Sequence, residues 1–274
     1  MRPSPSPQIA SLPLGEGEIS VWFAALDELA WGAGEIESFL SIEERERAKR
    51  YVFEADGRRF AVGRAVLRII LGHHISLRPA EITFRYNTHG KPVLDDYELS
   101  FNMSRCAGRA VYALTCGRSI GVDIERERDI TQMDQLAKRI FSEYEYERFY
   151  ALPLNIRRNH FFTSWTRKEA LVKAMGEGLS APLHMFDVSA SSNGSPDKIR
   201  VIDDSQRDRR WAICDVGQDE GYRVAVAAEW PCSFPPRINI FPLNGHYSFP
   251  ASALTPSIGQ ALCQVPVQQT TFPG

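Results

Sequence analysis

Two kinds of apolar pattern follow one another along this chain of 274 residues. Short runs with the two-residue alternation of strands occur at 18–26, at four places between 81 and 125, and at four places between 184 and 229. Runs with the three-to-four-residue spacing of helices occur at 55–75, 132–141, 142–152 and 160–175. The mixture of strands and helices predicts a fold of the α/β or α+β class.

The overall charge excludes some classes of partner. The formal net charge is -2, with 43% hydrophobic and 24% charged residues. A chain with this balance has no general basic field for nucleic acid or for an anionic membrane. We therefore expect neither partner, and we expect any polyanionic ligand to be bound by a local cluster of Lys and Arg.

The cysteines and the N-terminal segment bear on location. Five cysteines without a C-x-x-C pair indicate neither a disulfide framework nor a structural zinc site. Residues 1–17 are rich in proline and lack the apolar core of a signal peptide. The longest apolar run, 65–72, is interrupted by Arg68 and is too short to cross a bilayer. These features predict a cytoplasmic protein.

The two ends of the chain differ from the middle in composition and in the regularity of their apolar pattern. Residues 1–17 predict a flexible segment, and residues 231–274 are rich in Pro and Ser without a sustained period. We therefore expect 231–274 to be an extension that is poorly ordered or draped over the core.

The run S-I-G-V-D-I-E contains Asp123 and Glu125 two residues apart. Side chains alternate across a strand, so both carboxylates point to one side. Mg2+ prefers such oxygen ligands, commonly one or two carboxylates completed by phosphates and water. The alternative for an isolated D-x-E is the solvent face of an edge strand, so the motif alone does not decide.

A second carboxylate lies in a helical run, where Phe162, Trp165, Glu169 and Val172 share one side. A glutamate in an apolar stripe needs a cation. Lys173 at i+4 or a bound metal ion could supply the charge, and the helix by itself leaves both open.

Together these segments resemble the paired signature of the Sfp-type phosphopantetheinyl transferases. G-V-D-I-E matches the first half with Gly121, Asp123 and Glu125, and W-T-R-K-E-A-L-V-K matches the second half with the residues Trp165, Lys168, Glu169, Ala170 and Lys173. G-K-P at 90–92, F-N-M-S at 101–104 and F-S-x-x-E at 141–145 also resemble family segments. The likeness covers roughly 18–230.

The resemblance implies two similar α/β lobes that form a pseudo-dimer in one chain, with an N-terminal lobe at 18–118 and a C-terminal lobe at 119–230. Coenzyme A would lie between the lobes, and the chain would work as a monomer. The implied reaction transfers 4′-phosphopantetheine from coenzyme A to a serine of an apo acyl or peptidyl carrier protein. Mg2+ is the implied cofactor, and adenosine 3′,5′-bisphosphate is the implied product.

Roles in that reaction follow from the same resemblance. Asp123, Glu125 and Glu169 would hold Mg2+, and Lys173 would neutralise charge that develops during transfer. The general base would be a nearby carboxylate, with Glu169 and Glu145 as candidates, or a metal-bound water, and the sequence does not decide between them. Glu145 has an alternative role, because Ser142 and Glu145 form an S-x-x-E capping box.

The phosphates of coenzyme A need cations, and six lie close together in the sequence: Arg47, Lys49, Arg50, Arg58, Arg59 and Arg64. The resemblance favours Arg47 and Lys91 as phosphate contacts, with Ser104 as a hydroxyl donor and Arg59 as a further candidate. Arg105 stands where the family usually has histidine. Arginine can also donate to phosphate, but it cannot change protonation near neutral pH.

Two other functions remain open at this point. One is a non-catalytic module that binds coenzyme A or a carrier protein, and the other is a magnesium-dependent nucleotide phosphohydrolase. Intact Asp123, Glu125, Glu169 and Lys173 argue against the first. The second would use the same carboxylates without a surface for a carrier.

Overall fold

The structure is a computed structural model. It describes residues 14–15, 17–178, 181–189, 197–198, 200–201, 209–216, 221–230 and 236–243. Most of the N-terminal segment predicted to be flexible, and the extension from 244 onward, therefore lie outside the described residues.

In the first half of the chain one strand is followed by three helices and then by four strands. The strands are β1 Glu18–Ala25, β2 Arg85–Tyr86, β3 Pro92–Val93, β4 Leu99–Cys106 and β5 Arg109–Cys116. The helices are α1 Ala33–Phe39, α2 Ile42–Lys49 and α3 Glu54–Ile75.

The second half begins with β6 Ile120–Arg126, which is followed by α4 Met133–Ile140, α5 Glu143–Ala151 and α6 Leu154–Met175. The remaining strands are β7 Phe186–Asp187, β8 Asp197–Lys198, β9 Arg200–Val201, β10 Trp211–Asp215, β11 Tyr222–Glu229 and β12 Arg237–Leu243.

Two four-stranded sheets organise these elements. The first has the order β12-β1-β5-β4, and the second has the order β6-β11-β10-β8. A 22-residue helix packs with each sheet, α3 in the first lobe and α6 in the second, and each helix contributes to a buried apolar cluster. The mixed α/β class predicted from the sequence is confirmed, with a sheet and a long helix in each lobe.

The two lobes share a third apolar cluster. Val21 and Val111 of the first sheet are buried together with Val122 and Val226 of the second. Buried aliphatic side chains of this size stabilise by about 1.5–3 kcal/mol each relative to exposure. The boundary between the lobes is therefore part of the core, and it fixes how β4 and β6 face each other.

Two S-x-x-E capping boxes are present, one of them the box named above at Ser142. Ser41 caps α2 together with Glu44, and Ser142 caps α5 together with Glu145. The long helix α6 begins at Leu154, six residues before the predicted start at 160, because Pro153 supplies a start that the apolar period did not reveal. It ends at Gly176, whose φ of 75° suits glycine.

The C-terminal extension contains a strand that the sequence analysis did not predict. The strand β12 runs parallel to β1 over seven paired residues, from Glu18 with Arg237 to Ala24 with Leu243. Phe241 stacks on Trp22 with ring centroids 4.4 Å apart. The expectation of an extension that is poorly ordered or draped over the core therefore does not describe 237–243, which form the edge strand of the first sheet. Proline inside the segment hid the strand, but an edge strand tolerates proline.

The sequence analysis expected no membrane-spanning segment and no disulfide framework, and the structure bears on both expectations. None of the described helices is both long and apolar enough to span a lipid bilayer. Cys106 is a free thiol, whereas Cys116 is disulfide-bonded, a feature that the cysteine count did not predict.

Candidate active site

The strand β6 and the helix α6 touch through their backbones. A Cβ atom at Gly121 would lie 2.1 Å from the carbonyl oxygen of Ala170 and 2.3 Å from the nitrogen of Ala174. Only glycine fits at this distance, since real Cβ atoms do not approach backbone so closely. The close approach brings Glu169 and Lys173 of α6 beside Asp123 of β6.

Asp123 is the centre of this group and is only 3% exposed. Its Oδ1 atom accepts hydrogen bonds from the Ser104 hydroxyl at 2.9 Å and from the Lys173 ammonium at 2.5 Å. Lys173 also donates to the Ser104 oxygen at 3.0 Å. The other carboxylate oxygen, Oδ2, is buried and has no hydrogen-bond partner among the described residues. A buried charged oxygen without a partner is costly, so this atom is suited to bind a ligand.

Two further carboxylates lie close enough to Asp123 to feel its charge. Burial raises the pKa of Glu125, and the charge of Asp123 raises it further, against the effect of Arg128 at 3.2 Å. Burial and the charge of Asp123 likewise raise the pKa of Glu169, while Lys173 lowers it. Within the described part of the chain no ion pair joins Glu169 to Lys173, because the ammonium lies on Asp123 instead.

These residues fit a hard divalent cation in type and in charge. Asp123, Glu125 and Glu169 offer oxygen ligands, and burial together with the charge of Asp123 raises the pKa of both Glu125 and Glu169. Over the described ranges, however, no group of three or more His, Cys, Asp or Glu residues is drawn together closely enough to hold a metal ion as it stands. The unpartnered Asp123 Oδ2 is the observation that favours a cation at this place.

Glu145 occupies a different environment, although it is equally buried. Its carboxylate accepts hydrogen bonds from the backbone nitrogens of Ser142 at 2.9 Å and Val188 at 2.7 Å, and it pairs with the Lys168 ammonium at 2.6 Å. Lys168 precedes Glu169 in α6, and adjacent helical residues point about 100° apart. The capping role predicted for Glu145 is confirmed, and its carboxylate is fully occupied by these partners.

The predicted phosphate contacts fall into two groups. Arg47 of α2 and Arg105 of β4 lie over the ring of Phe60, with their guanidinium carbons 5.0 and 5.4 Å from its centroid. Arg59 and Arg105 line a cavity of about 410 Å³ that extends to Ser104. Arg59 is already paired with Asp27, to which its Nη2 donates at 2.8 Å.

Lys91 is placed at the junction of the lobes. Its ammonium donates to the carbonyl oxygens of Ile120 and Lys173, each at 2.7 Å. Burial lowers the pKa of Lys91 to about 8. The turn that carries Lys91 is thus attached to the start of β6 and to the end of α6.

Comparisons with known proteins agree with this arrangement. A family model described as the 4′-phosphopantetheinyl transferase superfamily matches residues 119–227, and one described as the N-terminal region of 4′-phosphopantetheinyl transferase matches residues 33–116. The 4′-phosphopantetheinyl transferase HetI of Nostoc sp. is 33% identical over 225 residues, which cover 81% of this chain and 92% of that protein. The chain belongs to the 4′-phosphopantetheinyl transferase family.

A second relative of this transferase is the 4′-phosphopantetheinyl transferase Sfp of Bacillus subtilis. It is 32% identical over 205 residues, which cover 74% of this chain and 88% of that protein. The match to the N-terminal region ends at residue 116, and the match to the superfamily model begins at residue 119, so the turn between β5 and β6 separates them. Asp123, Glu125, Glu169 and Lys173 lie in the second match, whereas Ser104 lies in the first, so the candidate site draws residues from both matched regions.

Asn102 is a residue beside the candidate site whose role the sequence analysis missed. Its Oδ1 atom accepts a hydrogen bond from the backbone nitrogen of Val122 at 2.9 Å, which joins β4 to β6 next to Asp123. The signal was available, since Asn102 and Ser104 are polar residues two apart that share one face of β4. Buried polar side chains on a strand require partners, and here the partner is the other lobe.

Proposed function

We propose that this transferase moves the 4′-phosphopantetheine group of coenzyme A onto a serine hydroxyl of an apo acyl or peptidyl carrier protein. The reaction is magnesium-dependent and releases adenosine 3′,5′-bisphosphate. The observation that carries the proposal is the buried Asp123 carboxylate, with one oxygen unpartnered, beside Glu125, Glu169 and Lys173.

Asp123, Glu125 and Glu169 would hold Mg2+. When bound there, the ion supplies positive charge that neutralises the pyrophosphate of coenzyme A and stabilises the leaving oxygen. The three carboxylates come from β6 and α6, whose spacing is set by Gly121, so the ligand set rests on rigid elements.

The protein aligns the reacting groups and moves one proton. The carrier serine oxygen forms a bond to the β-phosphorus, and the bond from that phosphorus to the oxygen of the adenosine bisphosphate breaks. Glu169 accepts the serine proton. The Lys173 ammonium, which Ser104 and Asp123 hold in place, faces the negative charge that grows on the leaving phosphate.

Glu145 takes no part in this proton transfer, because each of its oxygens is already engaged by Ser142, Val188 or Lys168. We assign it to joining α5, α6 and the segment around Val188. Lys91 could reach a phosphate only by leaving its two carbonyl acceptors, so we assign it to holding Lys173 and β6 in place.

The nucleotide end of coenzyme A fits the basic side of the first lobe. Arg47 and Arg105 are exposed and have no acidic partner within the described residues. Two guanidinium groups near one point favour a phosphate, which each can hold through parallel hydrogen bonds. We assign them to the 3′-phosphate, with Arg59 and Ser104 at the wall of the neighbouring cavity.

A surface for the carrier protein lies on α5 and at the start of α6. Some apolar residues of α4 and α5 belong to the core, and the structure buries Ile140 and Phe149. Four large apolar side chains remain exposed there: Tyr144, Tyr150, Leu154 and Ile156. We propose that this patch docks the carrier, that both substrates are bound by a single chain, and that the enzyme works as a cytoplasmic monomer.

The function is tested by incubating the protein with apo carrier protein, coenzyme A and Mg2+, and by measuring the intact mass of the carrier. We expect a mass gain equal to one phosphopantetheine, and no gain when Mg2+ is chelated. Release of free nucleotide without a mass gain would indicate a phosphohydrolase. Retained binding of coenzyme A with neither product would indicate a non-catalytic module.

A further inference from the structure

The helix α2 is held against the protein by an unusual contact. It has eight residues, and its one fully buried side chain is the carboxylate of Glu44. Most surface helices are positioned by an apolar stripe that faces the core. No such stripe fixes α2, so its position depends on what binds Glu44.

Glu44 bonds two arginines of α3. Its Oε1 accepts from Nε of Arg64 and its Oε2 accepts from Nε of Arg68, each at 2.5 Å. The same carboxylate caps α2 by accepting from the backbone nitrogen of Ser41 at 3.2 Å. Both guanidinium groups lie over the ring of Phe84, at 4.5 and 5.0 Å from its centroid, which restricts their movement.

The other end of α2 rests directly on the backbone of α3. A Cβ atom at Gly57 would lie 2.6 Å from the carbonyl oxygen of Ala48. Besides the contact of Arg47 with Phe60, α2 is therefore held on α3 by the buried ion pairs of Glu44 at one end and by a backbone contact at the other. Loss of the Glu44 bonds removes the buried contact at the first end of α2, so the helix should shift there.

Arg47 follows Glu44 by three residues and is carried by the same short helix. It lies over Phe60, and Arg105 of β4 lies over the same ring. We call Arg47 and Arg105 the guanidinium pair. The distance between its members depends on the position of α2 relative to β4, since one member comes from each element.

We propose that Glu44 is a positioning residue for nucleotide binding. By bonding Arg64 and Arg68 it fixes α2 so that the guanidinium pair converges on the 3′-phosphate of coenzyme A. Glu44 does not touch the nucleotide itself. This inference rests on the proposed function, which assigns the guanidinium pair to that phosphate.

The test uses titration calorimetry with adenosine 3′,5′-bisphosphate and with adenosine 5′-monophosphate, which lacks the 3′-phosphate. The variants are Glu44→Gln, Glu44→Asp and Arg64→Lys, of which the last two keep the charge and are expected to fold even if the first does not. Glu46→Gln is the matched control, because Glu46 lies on the same helix, is 61% exposed and, among the residues that the structure describes, pairs only with Lys49.

We expect the unaltered protein to prefer the bisphosphate. In the Glu44 and Arg64 variants this preference should fall about tenfold, the size expected for a lost hydrogen bond to a charged group, with the affinity for the monophosphate nearly unchanged. Glu46→Gln should keep the full preference. A purely structural role would lower the melting temperature, or weaken both nucleotides equally, without changing their ratio.

The proposal is overturned if the folded Glu44→Asp and Arg64→Lys proteins retain the full preference, or if the unaltered protein does not distinguish the two nucleotides. Neither measurement needs a carrier protein. Failure to transfer phosphopantetheine in the mass assay would therefore count against the proposed function alone.

Discussion

Asp123 and Glu145 are both buried carboxylates, and each pairs with a lysine of α6, yet their surroundings differ. Glu145 is 2% exposed and binds Lys168 and two backbone nitrogens. Asp123 is 3% exposed and binds Lys173 and Ser104 through one oxygen, while its second oxygen has no partner. One carboxylate is fully satisfied by the protein, and the other is not.

The comparison separates two uses of a buried ion pair. A fully satisfied pair fixes elements relative to each other, and its loss leaves an uncompensated charge. A partly satisfied carboxylate among like charges costs stability, and a bound cation would compensate for that cost. We therefore expect changes at Glu145 to affect folding and changes around Asp123 to affect transfer.

The largest effect is expected for Glu145→Gln, which removes the charge opposite the fully buried Lys168. The free energy of unfolding should fall by about 3–5 kcal/mol, as for other broken buried pairs. Urea denaturation measures this value, and Glu147→Gln on the exposed face of α5 is the control. The transfer rate of the folded variant should stay within about threefold of normal if Glu145 is not the general base. A large loss of transfer with normal stability would reverse the assignments of the two carboxylates.

The second-largest effect is expected for Glu169→Gln, which keeps the shape of the side chain but removes its negative charge. Transfer should fall roughly a hundredfold or more, because a positioned proton acceptor or metal ligand contributes at least that much. The melting temperature should not fall, since Glu169 makes no ion pair with Lys173 and is repelled by Asp123 and Glu125. Single-turnover transfer to apo carrier and a thermal melt give both values. A rate above about a third of normal would be too high for a general base and would remove Glu169 from the site.

A smaller effect is expected when the chain is shortened. Ending it after residue 235 removes β12 and uncovers Trp22, so the free energy of unfolding should fall by about 2 kcal/mol, at the lower end of the range for lost core contacts. Ending it after residue 243 keeps β12 and is the control. Equal stability of the two shortened proteins would show that β12 contributes nothing to the first lobe.

Regular elements with a clear period were predictable from the sequence, and contacts between distant elements were not. The capping boxes at Ser41 and Ser142 are local patterns of four residues, and both are present. The strand β12 was missed because its pairing with β1 joins residues more than two hundred positions apart, and a proline in the segment argues against a strand.

The residues of the candidate site also divide into those that a local pattern brings together and those whose contacts depend on distant segments. Asp123 and Glu125 are two residues apart on one strand, so the alternation of side chains was enough to place them together. That Lys173 bonds Asp123 rather than Glu169 could not be predicted from the helix alone, because it depends on the backbone contact at Gly121. The saturation of Glu145 likewise depends on Val188, which lies in a later segment.

The most direct test of the account concerns the unpartnered oxygen of Asp123. Asp123→Asn keeps the size of the side chain but removes a charged ligand, so coenzyme A binding should no longer be strengthened by Mg2+. Titration calorimetry of coenzyme A with Mg2+ and with a chelator, on the unaltered and Asp123→Asn proteins, measures this dependence. The account predicts clear magnesium dependence in the first and little or none in the second, with both proteins folded. Magnesium dependence of equal size in both proteins would contradict the assignment of Asp123 as a metal ligand.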